Sequence, residues 1–243
     1  MATEWDALAR LDPLWAILSR PDARDGGWSV DEFFATGEAE IDAVFSHAEA
    51  WPADWRVALD FGCGVGRLTR ALGERFGRCY GVDASAKMVA QARQLNADRA
   101  NCTFEVGDLS RFARGSADFV YSSFVLQHLR SNREIETCLA EFLRVVAPGG
   151  RVVFQLPERL PFPRRLQPRR RLFALLRRLG ASERWLYARA RLHPVSLRGM
   201  DEDRVRAIVA SAGGEVLRTD QVDPASELGG VRYYAMSTMR RDD

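Results

Sequence analysis

At 243 residues, 47% of them hydrophobic and 28% charged, the chain is long enough to bury one substantial core and too apolar for intrinsic disorder. No apolar run approaches the roughly 20 residues of a membrane span, and the opening MATEWDALAR lacks a signal peptide's apolar stretch. Cys63, Cys79, Cys102 and Cys138 form no C-x-x-C pair and, with three scattered histidines, make neither a metal site nor an evident disulfide framework, so a reduced cytoplasmic compartment is expected. The net charge of +2 hides a strong asymmetry. Residues 157–198 hold twelve arginines against Glu158 and Glu183, a local +10, which leaves −8 on the rest of the chain. The acidic body and the basic segment are different surfaces.

In chain order, residues 1–54 read as a helical lid. WDALARL and LWAILSR are short amphipathic pieces broken at Asp12-Pro13, and Pro21 to Gly27 is a polar loop. A longer helix is expected from Gly37, with Ile41, Val44, Phe45 and Ala48 on one face, ending at Trp51-Pro52.

Val57 to Gly66, VALDFGCGVG, then breaks the pattern: a short apolar run ends in Asp60, glycines follow at 62, 64 and 66, and the helix-forming RLTRALGERF comes straight after. Strand, glycine loop and helix N-terminus form the layout of a nucleotide-cofactor site at the carboxyl end of a parallel strand. The third glycine arrives one residue too early for the dinucleotide fingerprint G-x-G-x-x-G. RCYGVD is a second strand ending in Asp83, 21 residues after Gly62, where an acid can accept from both ribose hydroxyls of an adenosine; an N-cap role also suits it. CTFEVGD is a third strand with Gly107 and Asp108 at its tip, ADFVYS a fourth, and LRVVAPGG closes a helix before a fifth, RVVFQL.

Over residues 55–156 this series resembles the class I S-adenosylmethionine-dependent methyltransferases, whose first motif has the form D-x-G-x-G-x-G. The resemblance implies an α/β Rossmann-like fold with a seven-stranded, mostly parallel sheet in the order 3-2-1-4-5-7-6, the last strand antiparallel. It places the methionine end of S-adenosylmethionine in the loop at Asp60, Gly62, Gly64 and Gly66, the ribose on Asp83 and the adenine amine on Asp108. Cys63, Ala84, Met88, Gly107, Leu109 and Ser122 complete the expected cofactor set. The N-terminal helices should cross the cofactor mouth, making Trp28, Phe33 and Phe34 candidates for the lid, with plain core packing as the alternative.

Residues 157–200 are expected to be an arginine-rich substrate cap. Residues 201–243 should return to the core as the helix DEDRVRAIVASAG and the strands EVLRTDQV and VRYYAMSTM, joined by the turn-rich DPASELGG. In the cap, Leu172, Leu175, Leu176 and Leu179 recur at helical spacing among Arg169, Arg170, Arg171, Arg177 and Arg178. Either this stripe docks onto the core beside a solvated basic face, or the segment takes an anionic or amphiphilic acceptor through Arg169, Arg170 and Arg171, or it meets an anionic membrane surface.

The expected activity is methyl transfer from S-adenosylmethionine to a small-molecule acceptor at oxygen, nitrogen or carbon, leaving S-adenosylhomocysteine. A base is needed only where the acceptor starts protonated. His128, just after the fourth strand, is the candidate base, with a structural role as its alternative, and Gln127 could orient the acceptor. His47 and His193 lie outside the motifs. Two alternatives stay open. A nucleic-acid methyltransferase would use the basic segment, but Tyr121-Ser122-Ser123-Phe124 stands where amino-group methylases carry an Asn/Asp-Pro-Pro-aromatic motif. A non-catalytic module would bind S-adenosylmethionine without transferring its methyl.

Overall fold

Strands β1 (Val57–Phe61), β2 (Arg78–Asp83), β3 (Cys102–Val106), β4 (Ala117–Ser122), β5 (Val146–Pro157), β6 (Gly214–Val222) and β7 (Val231–Thr238) form one sheet. Its spatial order is 3-2-1-4-5-7-6, as the resemblance implies. The pairs joining β1 to β5 are parallel, and β7 runs antiparallel to both β5 and β6. In this computed structural model the described residues are 2–24, 26–158, 160–162, 166–192, 194–222 and 231–238. The expected turn over 223–230 and His193 lie outside them.

Side chains alternate across the sheet as strand geometry demands. Leu59, Val120, Val152, Phe154 and Met236 face helices α6 (Asn132–Val145) and α9 (Glu202–Ser211), meeting Ile135, Leu139, Phe142, Val205 and Val209. Ala58, Phe119, Tyr121, Val153 and Ala235 face the other way, onto Ile41 and Phe45 of helix α3 (Val30–Phe45) and Leu68 and Leu72 of helix α4 (Arg67–Gly73). Helix α5 (Ala86–Leu95) follows β2. The strand order reverses between β1 and β4, which opens a crevice at their carboxyl ends.

Two elements differ from the sequence expectation. The long N-terminal helix begins at Val30, not Gly37. Ser29 caps it by accepting from the Glu32 amide at 3.2 Å while its hydroxyl donates to the Glu32 carboxylate at 3.0 Å. That early start buries Phe33 and Phe34. β5 begins directly after α6 and carries Pro148-Gly149-Gly150 inside it, absorbed by a register shift against β4 between Ala117 and Phe119.

Helices α1 (Ala2–Leu11) and α2 (Pro13–Ile17) lie apart from the sheet, with Asp12 capping α2 through the Trp15 amide at 3.1 Å. Two helices, α7 (Pro168–Arg178) and α8 (Glu183–Ala188), make up the basic segment. They close their own small cluster of Phe173, Leu186, Tyr187 and Leu192, against which Ala7 and Leu8 of α1 pack. No helix among the described residues is long and apolar enough to cross a membrane.

Candidate active site

The glycine loop after β1 is pinned to β2. The amides of Gly62 and Cys63 donate to the Val82 carbonyl at 2.7 and 3.1 Å, and the Gly64 amide donates to the Asp83 carboxylate at 3.0 Å. Gly62 and Gly64 take φ values of +79° and +54°, which favour glycine. Both are also hemmed in: a Cβ on Gly62 would lie 2.1 Å from the Val125 side chain, and one on Gly64 2.5 Å from Ile17. Backbone is thereby exposed in the crevice where a side chain would fill it.

A cavity enclosing about 980 Å³ of empty space, its open mouth included, occupies the crevice. Its floor is Gly62, Gly64, Asp83, Ala84 and Met88, with Gly107 and Asp108 at one end and Ser123, Phe124, Val125 and His128 at the other. Asp83 accepts one backbone N–H on each oxygen, from Gly64 and from Ser85 at 2.8 Å. Each oxygen keeps a second lone pair for a ligand hydroxyl. Burial pushes this carboxyl above the usual carboxylate range, while the Ser85 and Gly64 amides pull it back. Asp108 is exposed and accepts from the Ser110 amide at 2.9 Å, and its bonding to Ser110 holds it below that range.

Five of the residues expected to bind cofactor do not line this cavity. Asp60 is 1% exposed beneath the loop and accepts from the Thr69 hydroxyl at 2.6 Å, its other oxygen left without a partner. Burial raises its carboxyl to about 7, against the lowering effect of Thr69. Cys63 packs away from the cavity onto Val89, Ala92 and Phe104. Gly66 caps α4 at φ +86°, a Cβ there meeting Phe104 at 2.6 Å. Leu109 lies in the main core, and the Ser122 hydroxyl donates to the Phe61 carbonyl at 3.0 Å, tying β4 to β1. Strand alternation turns Ser122 inward, so its neighbour Ser123 reaches the cavity instead.

Of the two readings of the N-terminal aromatics, core packing holds. Trp28 and Phe33 stack edge to face inside a cluster with Val65 and Met88, and the Trp28 indole N–H donates to the Leu18 carbonyl at 3.1 Å. Phe34 is buried beneath the Arg70 guanidinium. The wall is built by Trp5 of α1 and by Ala16 and Ile17 of α2. Asp6 fastens α1 down, accepting from the Ser85 hydroxyl at 2.5 Å and the Lys87 amide at 3.1 Å at the start of α5. No hydrophobic period singles out Trp5; its place follows from α1 docking across a remote part of the chain.

At the opposite end, Phe124 takes φ +59°, a strained value for a residue with a Cβ. Its amide donates to the side-chain carbonyl of buried Gln155 at 2.8 Å. His128 stands edge-on to Trp5, ring centroids 5.3 Å apart. Its Nδ1 lies 2.9 Å from the Ser196 carbonyl, which only accepts, so Nδ1 carries the proton. In the neutral ring Nε2 then holds the lone pair, with the Gln127 amide nitrogen 3.2 Å away. The Ser196 hydroxyl returns bonds to the His128 and Leu129 carbonyls, and the Arg198 amide donates to the Gln127 carbonyl at 2.7 Å. The chain leaving the basic segment thus clamps the turn that carries His128.

Arg169, Arg170 and Arg171 do not line the cavity. Arg169 and Arg170 donate to the Arg191 and Pro194 carbonyls at 2.9 Å, holding their own segment together, and Arg171 is exposed.

Comparison with known proteins agrees with this geometry. Residues 59–154 match a methyltransferase domain family model. That stretch carries a methyltransferase domain on the seven-stranded fold of the S-adenosylmethionine-dependent enzymes. Trans-aconitate 2-methyltransferase of Deinococcus radiodurans is 39% identical over 103 residues, 41% of this chain and 37% of that protein. A probable chloroplastic tocopherol O-methyltransferase of rice is 32% identical over 117 residues, 46% of this chain and 31% of that one. The matched stretch thus spans only about a third of either relative's length. The N-methyltransferase NodS of Bradyrhizobium japonicum, solved with S-adenosylhomocysteine, shares the fold over 94% of this chain and all of its own, at a TM-score of 0.58 and 18% identity. The lid and the basic segment fall outside residues 59–154 of the family match.

Proposed function

We propose that the chain transfers the methyl group of S-adenosylmethionine to an oxygen, nitrogen or carbon atom of a small, amphiphilic acceptor, leaving S-adenosylhomocysteine. The observation that carries this reading is the cavity at the strand-order reversal, where bare glycine backbone, a carboxylate with spare lone pairs and an aromatic wall converge. These features suit the cofactor. Gly62 and Gly64 offer backbone to its methionine end, Asp83 accepts from its ribose hydroxyls, and Asp108 stands at the adenine end. When bound, S-adenosylmethionine supplies a methyl already activated on a sulfonium.

The protein's contribution is then placement and exclusion of water, and orientation alone supplies on the order of 7 kcal/mol in favourable cases. Trp5, Phe124, Val125, Leu129 and His128 enclose the acceptor end with largely apolar surface, which supports an acceptor with an apolar body. The arginines of α7 stand outside that cavity, so a negative charge on the acceptor is not required by its walls. His128 serves as the base at Nε2 for a hydroxyl or ammonium acceptor, exchanging its contact with the Gln127 amide for one with the acceptor. The Ser196 carbonyl holds the ring in the tautomer this needs. The four cysteines are free, which suits a reducing cytoplasmic setting.

Labelled S-adenosylmethionine incubated with a panel of phenols, amines and amphiphilic acids should yield a methylated product. In His128→Ala, turnover should fall by about 10²- to 10⁴-fold with cofactor affinity preserved. Cofactor binding without transfer to any acceptor class would instead make this a non-catalytic module. Loss of cofactor binding in His128→Ala would make the histidine structural.

A further inference from the structure

We propose that α7 docks the protein onto an anionic lipid bilayer surface through an exposed leucine face. The sequence left two uses for the leucine stripe, and the structure separates its members. Phe173 is buried and Leu176 partly so, and these two hold the helix to Leu186, Tyr187 and Leu192. Leu172, Leu175 and Leu179 are 45%, 54% and 74% exposed. At about 100° per residue these three fall within an arc of roughly 60°, centred well away from Phe173. The face has therefore not been spent on the core. Arg171 and Arg178 project within a further ~60° on the side away from Phe173, and both are exposed. Phe162, Leu166 and Trp185, in the segments beside α7, are exposed as well.

Charge selects the occupant. Apolar side chains edged by guanidinium groups match the acyl and headgroup layers of an anionic membrane. The segment's +10, against −8 on the rest of the chain, favours an anionic surface over a neutral one. A second copy fits worse, because two +10 segments brought face to face repel. Ala7 and Leu8 of α1 pack beneath the same cluster, so contact through α7 bears on the helix that carries Trp5 into the cavity wall. An amphiphilic acceptor could thus be met where it partitions. The docking itself does not depend on methyl transfer.

The full chain should co-sediment with vesicles of phosphatidylcholine mixed with phosphatidylglycerol, far less with phosphatidylcholine alone, and less as salt rises. Leu175→Ser combined with Leu179→Ser should lower the partition coefficient at least about tenfold. Arg171→Gln and Arg178→Gln should each lower it about fivefold. None of these variants should move cofactor affinity or the thermal midpoint. Wild-type protein that ignores anionic vesicles, or a leucine pair that binds as well as wild type, overturns the proposal. So does a solution dimer abolished by the leucine pair, which would make a second copy the occupant. A chain that binds vesicles yet methylates nothing would refute the proposed activity and leave the docking face standing.

Discussion

Asp83 carries two duties that pull its chemistry in opposite directions. Its oxygens hold the Gly64 and Ser85 amides, and in the proposed complex they also accept from a ribose. Burial makes the charge costly to the folded protein while making it a strong acceptor for a ligand. Asp83→Ala should therefore weaken S-adenosylmethionine by about 1.5–3 kcal/mol, roughly ten- to hundredfold in Kd, as read by calorimetry. Asp83→Asn, which keeps one acceptor oxygen, should fall between the two. An unchanged Kd in both variants would take the ribose off Asp83. Asp83 was legible in the sequence because an acid at a fixed interval after a glycine loop follows from strand and turn geometry. Trp5 and Phe124 were not. One reaches the cavity through the docking of a distant helix, the other through a left-handed backbone held by Gln155.

Among the elements, those ordered by local pattern were read well and those placed by tertiary contact were read poorly. The five parallel strands each pair an apolar run with a turn signal, and their sheet order came with the family rather than from any strand's own sequence. The expected start of α3 is seven residues late, because the capping pair Ser29 and Glu32 precedes the stretch with clear helical spacing. Its expected end at Trp51 overshoots Phe45, after which Ala48 lies in a separate 3-10 turn. The helical spacing in α7 is legible but not which side it buries, since Phe173 sits one position off the leucine stripe and anchors the small cluster. The lid shows how few contacts fix an element. Asp6 is its charged tie to the core, and bonding to Ser85 holds that carboxyl below the usual range. Asp6→Ala should free α1 from α5, raising cofactor Kd by about tenfold, the cost of a charge-assisted bond. It should also speed tryptic cleavage at Arg10 and Arg24 while the sheet stays intact. Cleavage at the wild-type rate would mean that the apolar contacts of Trp5 and Ile17 hold the lid unaided.

At the scale of the whole molecule, the buried acids decide how stability responds to pH. The surface carboxylates of Asp22 and Asp98, paired with arginines, are held below their ordinary value and titrate in acid. Glu202, at the start of α9, is likewise lowered, through Arg206 and Arg232 against the opposing effect of burial. Asp60 behaves in the reverse sense, raised to about 7 by burial under the glycine loop. The folded protein binds its proton more tightly than the unfolded chain does, so the stabilisation is full below about pH 4 and is lost as pH rises through about 7. Between those limits the unfolding free energy should drop by about 1.4 kcal/mol per pH unit from this group, roughly 4 kcal/mol in all, and level off above. Asp83, also raised, adds a slope of the same sign, so the contribution of Asp60 is the difference between wild type and Asp60→Asn. Urea denaturation of cofactor-free protein from pH 4.5 to 8.5 should show that difference growing in favour of Asp60→Asn as pH rises. A constant difference would mean that Asp60 stays ionised in the fold, with its partnerless oxygen met by solvent. The Asn amide meets the Thr69 hydroxyl where the carboxylate did, so the variant isolates the charge from the packing beneath the loop.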